Sequence, residues 1–231
     1  MSRVLFAVTS HFKDASGWES GCYVLEVAVP YFYLVKNGVE IDFVSPKGGA
    51  VPAKQCDLDA AKVKSFFADK MASEKFYSSK VPEEIDSNDY DAIYFPGGHG
   101  VVFDLPNCEK IAKIAGEIYD KGGVVCAVCH GGAGLLNVKL ADGSFLIDGK
   151  NLTAFSNKEE EAIGMDQKVP FLLETALVEK GANYSCAANW QQYVVVDGRL
   201  ITGQNPASDL EMAKELVKLL KEKNRLTNTT K

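Results

Sequence analysis

Short β-branched or aromatic runs alternate along this chain with longer segments whose apolar residues recur at helical spacing. Such alternation predicts an α/β protein with a parallel sheet covered by helices on both faces. The runs place central strands at Val4–Thr9, Val39–Ser45, Ala92–Pro96, Val124–Val128 and Leu152–Phe155. Tyr193–Val196 and Leu200–Thr202 flank Asp197-Gly198, a dipeptide that favours a tight hairpin turn. Helices are predicted over Cys22–Lys36, Cys108–Lys121, Val169–Lys180 and Ala207–Lys221. The last carries a stripe of Leu210, Ala213, Leu216, Val217 and Leu220, which reads as core packing. The polar tail from Asn224 to Lys231 is expected to fray. Between about Val51 and Asp89 the pattern turns polar and helix-prone, with Phe66, Phe67, Phe76 and Tyr77 on amphipathic faces. A single domain over 1–231 with an inserted helical cap at 51–89 is therefore expected. The competing reading is a surface excursion remote from any site.

One strand ends unlike the rest. Val124-Val125-Cys126-Ala127-Val128 stops on Cys129-His130 and turns into Gly131-Gly132. A thiol at a strand-to-helix corner has backbone N–H groups and a helix start beside it, which predicts a nucleophile favoured as thiolate. A cysteine taken alone is more often core. Cys126 and Cys129 form a C-x-x-C, but residues three apart in a strand lie ~10 Å apart, too far for a disulfide. Cys126 is read as core.

Composition narrows the function classes. The 231 residues include 46% hydrophobic positions, enough for a sizeable core, and a formal charge of −6. That charge, without a basic cluster, argues against nucleic-acid binding. No apolar run approaches the ~20 residues of a membrane span. The opening Met1–Thr9 suits a first strand better than a signal peptide, so a soluble, cytosolic protein is expected. The six cysteines lack a framework spacing and read as free thiols.

Glu26 is the only ionisable carboxylate between Tyr23 and Val35, in a helix apolar nearly all round. Burial raises the pKa of such a group towards neutrality, which suits proton transfer. The alternative is a stripe that points Glu26 to water. Pro30 is expected to kink or break this helix. Histidine is scarce: His11, His99 and His130. A Cys-His-Glu hydrolase of the glutamine amidotransferase kind needs a histidine far downstream of its nucleophile, and none follows His130. His130 is therefore the candidate base, with an acid to orient it somewhere in Thr153–Glu161, where Glu159, Glu160 and Glu161 are all eligible. Phe95-Pro96-Gly97-Gly98-His99-Gly100 is a second strand-end loop, whose amides near Gly98 could complete an oxyanion hole. His11 and His99 have no metal-ligand spacing, and neither a metal nor another cofactor is expected.

Taken together, these pieces resemble the ThiJ/PfpI superfamily, in its branch of glutathione-independent glyoxalases (glyoxalase III) and heat-inducible chaperones. The resemblance runs from the opening strand and Gly21–Glu26 through Asp42–Ser45, Asp89-Tyr90-Asp91, Gly98-His99-Gly100 and Phe103-Asp104. It continues through Gly122–Val125, Ala127–Gly131, Asp197-Gly198-Arg199, Thr202-Gly203 and Asn205–Ser208. It implies a flavodoxin-like three-layer sandwich with a small cap, usually homodimeric, cytoplasmic and also nuclear. It implies conversion of a 2-oxoaldehyde, methylglyoxal, to lactate. Cys129 would be the nucleophile, His130 its partner, Glu26 the carboxylate by the thiol and Glu160 the acid on the histidine. Gly98, His99 and Trp190 would face the substrate. Other activities implied by the resemblance are a holdase that binds unfolded clients, a peptidase and a protein deglycase. Two departures stand out: Gly132 replaces a usual proline, and Ala188-Asn189-Trp190-Gln191-Gln192 replaces Gly-Pro-Trp-Asp-Asp.

Overall fold

The computed structural model describes residues 1–53 and 60–229. The chain runs β1 (Arg3–Ala7), α1 (Leu25–Lys36), β2 (Glu40–Val44), α2 (Ala61–Ala68), α3 (Lys70–Tyr77), β3 (Ala92–Phe95), α4 (Val101–Asp104), α5 (Glu109–Asp120) and β4 (Val124–Val128). It continues through β5 (Asn151–Leu152), α6 (Asn157–Ala162), α7 (Leu173–Glu179), β6 (Asn183–Tyr184), β7 (Val194–Asp197), β8 (Leu200–Gly203) and α8 (Asp209–Thr229). Six strands form one sheet in the order β2-β1-β3-β4-β8-β7, parallel except for β7, which pairs antiparallel with β8 across the Asp197-Gly198 turn. Residues of the inner strands alternate between two cores. Leu5, Ile93, Phe95, Val125 and Ala127 face α5 and α7. Phe6, Tyr94, Cys126 and Val128 face α1 and α8. This is the flavodoxin-like three-layer arrangement.

Strand order reverses direction at β1 and β3, and in such sheets a crevice opens beyond the carboxyl ends of the strands there. Three loops meet at that edge: the chain after β1 that leads into α1, residues 96–100 after β3, and the Cys129 corner after β4.

Four expectations need correction. Leu152–Phe155 is not a central strand. Only Asn151 and Leu152 are extended, and they pair with β6 in a separate two-stranded sheet. The place beside β4 belongs to the fully buried β8, and the Thr202 hydroxyl accepts from the Thr153 N–H as the chain crosses it. The first helix starts at Leu25 rather than Cys22 and runs unbroken through Pro30 to Lys36. The last helix continues to Thr229 instead of fraying at Asn224.

Of the 51–89 segment, 54–59 lie outside the described residues. Helices α2 and α3 set Phe66 and Phe76 against Tyr31 and Phe43 as a cluster of edge-on rings. Lys75 and Lys80 pair with Asp42 on β2 and tie the segment to the sheet edge. No helix among the described residues is long and apolar enough to cross a membrane.

Candidate active site

The strand-to-helix corner is strained at the candidate nucleophile. Cys129 has φ 55°, a left-handed conformation that a non-glycine residue adopts only when its surroundings impose it. Those surroundings are tight. A Cβ on Gly131 would run into the Phe95 carbonyl, so the turn after Cys129 depends on glycine there. The chain after the corner is a 3₁₀ run from Cys129 to Leu135, with Gly132 against Ala154 where a proline was expected.

Around the thiol the hydrogen bonds form one chain. Cys129 Sγ lies 3.3 Å from His130 Nδ1. His130 Nε2 is 2.6 Å from Glu160 Oε2, and His99 Nε2 is 2.7 Å from Glu160 Oε1. On the other side, the Glu26 carboxyl hydrogen-bonds the thiol, and the Gly97 N–H donates to Glu26 Oε2 at 2.7 Å. The His130 N–H also points at the sulfur. The sequence left three glutamates open, and the fold separates their tasks. Glu160 carries both histidines. Glu159 accepts from the Trp190 N–H at 2.9 Å, from Asn205 Nδ2 at 2.8 Å and from Ser156 as a helix cap. Glu161 is exposed.

Protonation follows from burial. Enclosure pushes the Glu26 carboxyl up to about 8, against the hydrogen bonds from Cys129 and Gly97. It is neutral at pH 7 and able to donate. Burial, and then the positive charge of His99 when protonated, depress His130 to about 4 despite Glu160. Burial alone would raise Glu160, but hydrogen bonds from His130 and His99 hold it near 2. A neutral His130 beside an ionised Glu160 carries its proton on Nε2, which leaves Nδ1 as the acceptor facing sulfur. The expected thiolate preference is reversed: burial, followed by the charge and hydrogen bond of Glu26, pushes the Cys129 thiol well up. Only 5% of Cys129 is exposed, so the helix start does not outweigh desolvation. At rest the site therefore holds a neutral carboxyl, a neutral thiol and a neutral imidazole in series.

The thiol opens into a cavity of about 360 Å³ lined also by Gly98, His99, Phe155, Trp190 and Pro206. Cys129, His130, Glu26, Glu160, Gly98, His99 and Trp190 all meet at this one place, whereas His11 and Glu161 do not. His99 has a role its position did not reveal, as second partner of Glu160. Trp190, in a left-handed turn at φ 65°, presents its ring 5.9 Å from Phe155. Tyr23, Ile163 and Met165 complete the wall, and nothing in their spacing marked them. No described residue of α2 or α3 lines it. A larger open groove of about 910 Å³ beside α5 has no cysteine or histidine in its lining.

His99, His130 and Glu160 also bring one ligating atom each to within 4.8 Å of one another, the donor set of a transition-metal site. In the structure these atoms are engaged with each other. Cys126 is fully buried, and the five described cysteines are free thiols.

Residues 18–219 match the DJ-1/PfpI family. The chain belongs to the DJ-1/PfpI family. The glutathione-independent glyoxalase HSP31 of Saccharomyces cerevisiae is 35% identical over 95% of this chain and 98% of its own. The crystal structure of glyoxalase III from Candida albicans superposes with a TM-score of 0.84 at 31% identity, over 94% of this chain and 97% of that one. A Francisella tularensis protein, Rapid Encystment Protein 24 kDa, superposes with a TM-score of 0.89 at 38% identity, covering 95% and 99%. All three relatives align over nearly their whole length.

Proposed function

We propose that this protein is a glutathione-independent glyoxalase that converts methylglyoxal and water to lactate at Cys129. The observation that carries the reading is the placement of one thiol between a proton-bearing carboxyl and a proton-accepting imidazole. Isomerising a 2-oxoaldehyde requires both at once. The near-full-length relatives named as glyoxalases support it.

As Sγ adds to the aldehyde carbon, its proton passes to His130 Nδ1 and Glu26 gives its proton to the aldehyde oxygen, forming a hemithioacetal. The Glu26 carboxylate then removes the hydrogen from that carbon while protonated His130 donates to the neighbouring ketone oxygen, giving an enediol. Glu26 returns the hydrogen to the former ketone carbon, and His130 takes the proton of the first hydroxyl, leaving a thioester. Water attacks the thioester, giving one proton to Glu26, and the departing sulfur recovers its own from His130. Lactate leaves and all three groups regain their resting protonation. Glu160 holds the imidazole ring and steadies its charged form, and the amides near Gly98 and His130 face the developing oxyanion.

Lactate formation from methylglyoxal, with no glutathione or other thiol added, is the test. The wild-type protein should produce it. Cys129→Ala should not, with a nearly unchanged thermal midpoint. Equal lactate from Cys129→Ala would overturn the assignment.

A further inference from the structure

Among the buried polar atoms with no hydrogen-bond partner among the described residues are Glu26 Oε1, the Tyr94 hydroxyl, and Oδ1 and Oδ2 of Asp209. Glu26 and Tyr94 are fully enclosed, and Asp209 is 1% exposed. The three side chains come from elements that converge on one face of the sheet. Strand parity turns Tyr94 of β3, with Cys126 of β4, toward the side covered by α1 and α8. Glu26 stands in the first turn of α1, and Asp209 opens α8, which packs along α1. Their charges act on one another. Burial first and Glu26 second push the Asp209 carboxyl well up. Burial pushes the Tyr94 hydroxyl up too, followed by Asp209, Cys126, Glu26 and Cys129. Among the described residues no cation acts on Asp209.

Two enclosed carboxyls without a cation do not both ionise. If Glu26 takes the charge during turnover, Asp209 keeps its proton. Buried polar atoms without a protein partner are the usual partners of an internal water, which bonds about two to four of them. We propose that Asp209 is a positioning residue: a neutral carboxylic acid that, together with the Tyr94 hydroxyl, hydrogen-bonds Glu26 through an enclosed water. The inference deepens the reading of Glu26 as proton carrier and rests on it. When Glu26 releases its proton, the water, held by Asp209 and Tyr94, turns a donor toward the carboxylate. When the proton returns, the same groups hold the carboxyl aimed at sulfur. Neither Asp209 nor Tyr94 gains or loses a proton over the cycle.

The test reads Glu26 itself without substrate, by the pH dependence of its carboxyl C=O stretch in infrared difference spectra against Glu26→Gln in the same background. Asp209→Leu removes the donor, so the Glu26 anion becomes costlier and the midpoint should rise by about one pH unit, the worth of one hydrogen bond to a charged group. With methylglyoxal, the same variant should lose about tenfold in kcat at unchanged KM. Asp209→Asn keeps a donor and should leave the midpoint in place. Tyr94→Phe, a milder change that decides the matter if Asp209→Leu does not fold, should move the midpoint upward as well. An unmoved midpoint in Asp209→Leu and Tyr94→Phe overturns the proposal. So does a downward shift in Asp209→Asn, the sign of an ionised Asp209. Shifted midpoints in a protein that forms no lactate would retain the relay and discard the glyoxalase reading.

Discussion

Gly97→Ala probes the geometry of the site with one methyl group. Gly97 lies outside the left-handed region, so alanine can adopt its backbone. The difficulty is space. The new Cβ would stand 2.6 Å from Glu26 Oε2, 2.9 Å from the His130 nitrogen and 3.0 Å from Cys129 Cβ. With ordinary contact beginning near 3.4 Å, Oε2 has to withdraw by about 0.8 Å and the other two by about half an ångström. All three belong to residues proposed to react, and the retreat also stretches the 2.7 Å bond from the Gly97 N–H to Glu26. A misplacement approaching 1 Å costs on the order of 10²-fold in rate. Overpacking costs about 1–3 kcal/mol, and at roughly 2–4 °C per kcal/mol for a chain of this size the midpoint should fall by about 2–12 °C. Lactate production should be followed at 25 °C, well below that midpoint, with calorimetry on the same samples. The expected result is kcat lowered about 30- to 100-fold in a protein that is still folded. A kcat within threefold of wild type would refute the reasoning, since the three groups would then tolerate displacement.

Turnover should follow a bell-shaped pH profile. His130 must be neutral to accept the thiol proton, so activity rises with pH through about 4, and Glu26 must be protonated to donate, so activity falls through about 8. A Glu26→Gln variant that kept the basic limb would assign it to another group. Phe76→Ala should cost about 3–5 kcal/mol by emptying the ring cluster while leaving KM unchanged, because α3 packs on β2 and away from the cavity; a raised KM at full stability would place this segment over the site. Asp42→Asn should destabilise the protein at pH 7 by on the order of 1–2 kcal/mol. Burial pushes this carboxyl up, but Lys75, Tyr90 and Lys80 hold it at about 2. Its contribution is complete above the unfolded value near 3.8 and lost as pH falls through 2, so denaturation curves of variant and wild type should converge at pH 2.

Much of the site was legible in the chain because its signals are local. A strand that stops on Cys-His-Gly needs no partner to be recognised, and a single carboxylate in an apolar helix declares its own burial. What stayed hidden depends on contacts between distant residues. Neighbouring glutamates at 159, 160 and 161 differ only in the direction each takes from a short helix, and composition carries no such direction. His99 meets Glu160 across 61 positions of sequence. The thiol was misjudged because a corner suggests exposure, whereas Glu26 and His130 enclose it. The sheet was misread where two apolar runs competed for one place: Leu152–Phe155 and Leu200–Gly203 have similar composition, and the hairpin partner β7 gives the second run the slot beside β4. Asp209 resembles any acidic residue at a helix start, so nothing in its surroundings along the chain marked it as enclosed.

Glu159 and Glu160 are consecutive residues of one short helix, yet one fastens the Trp190 turn and the other steers His130. The wall of the cavity and the ring that faces the thiol thus hang from a common hinge pin, and neither can be retuned alone. Inserting or deleting one residue in α6 would rotate both carboxylates off their targets together, detuning selectivity and proton transfer in a single step. Change in substrate range therefore has its freest route through the far rim, at Ile163 and Met165, whose side chains border the cavity without carrying either duty.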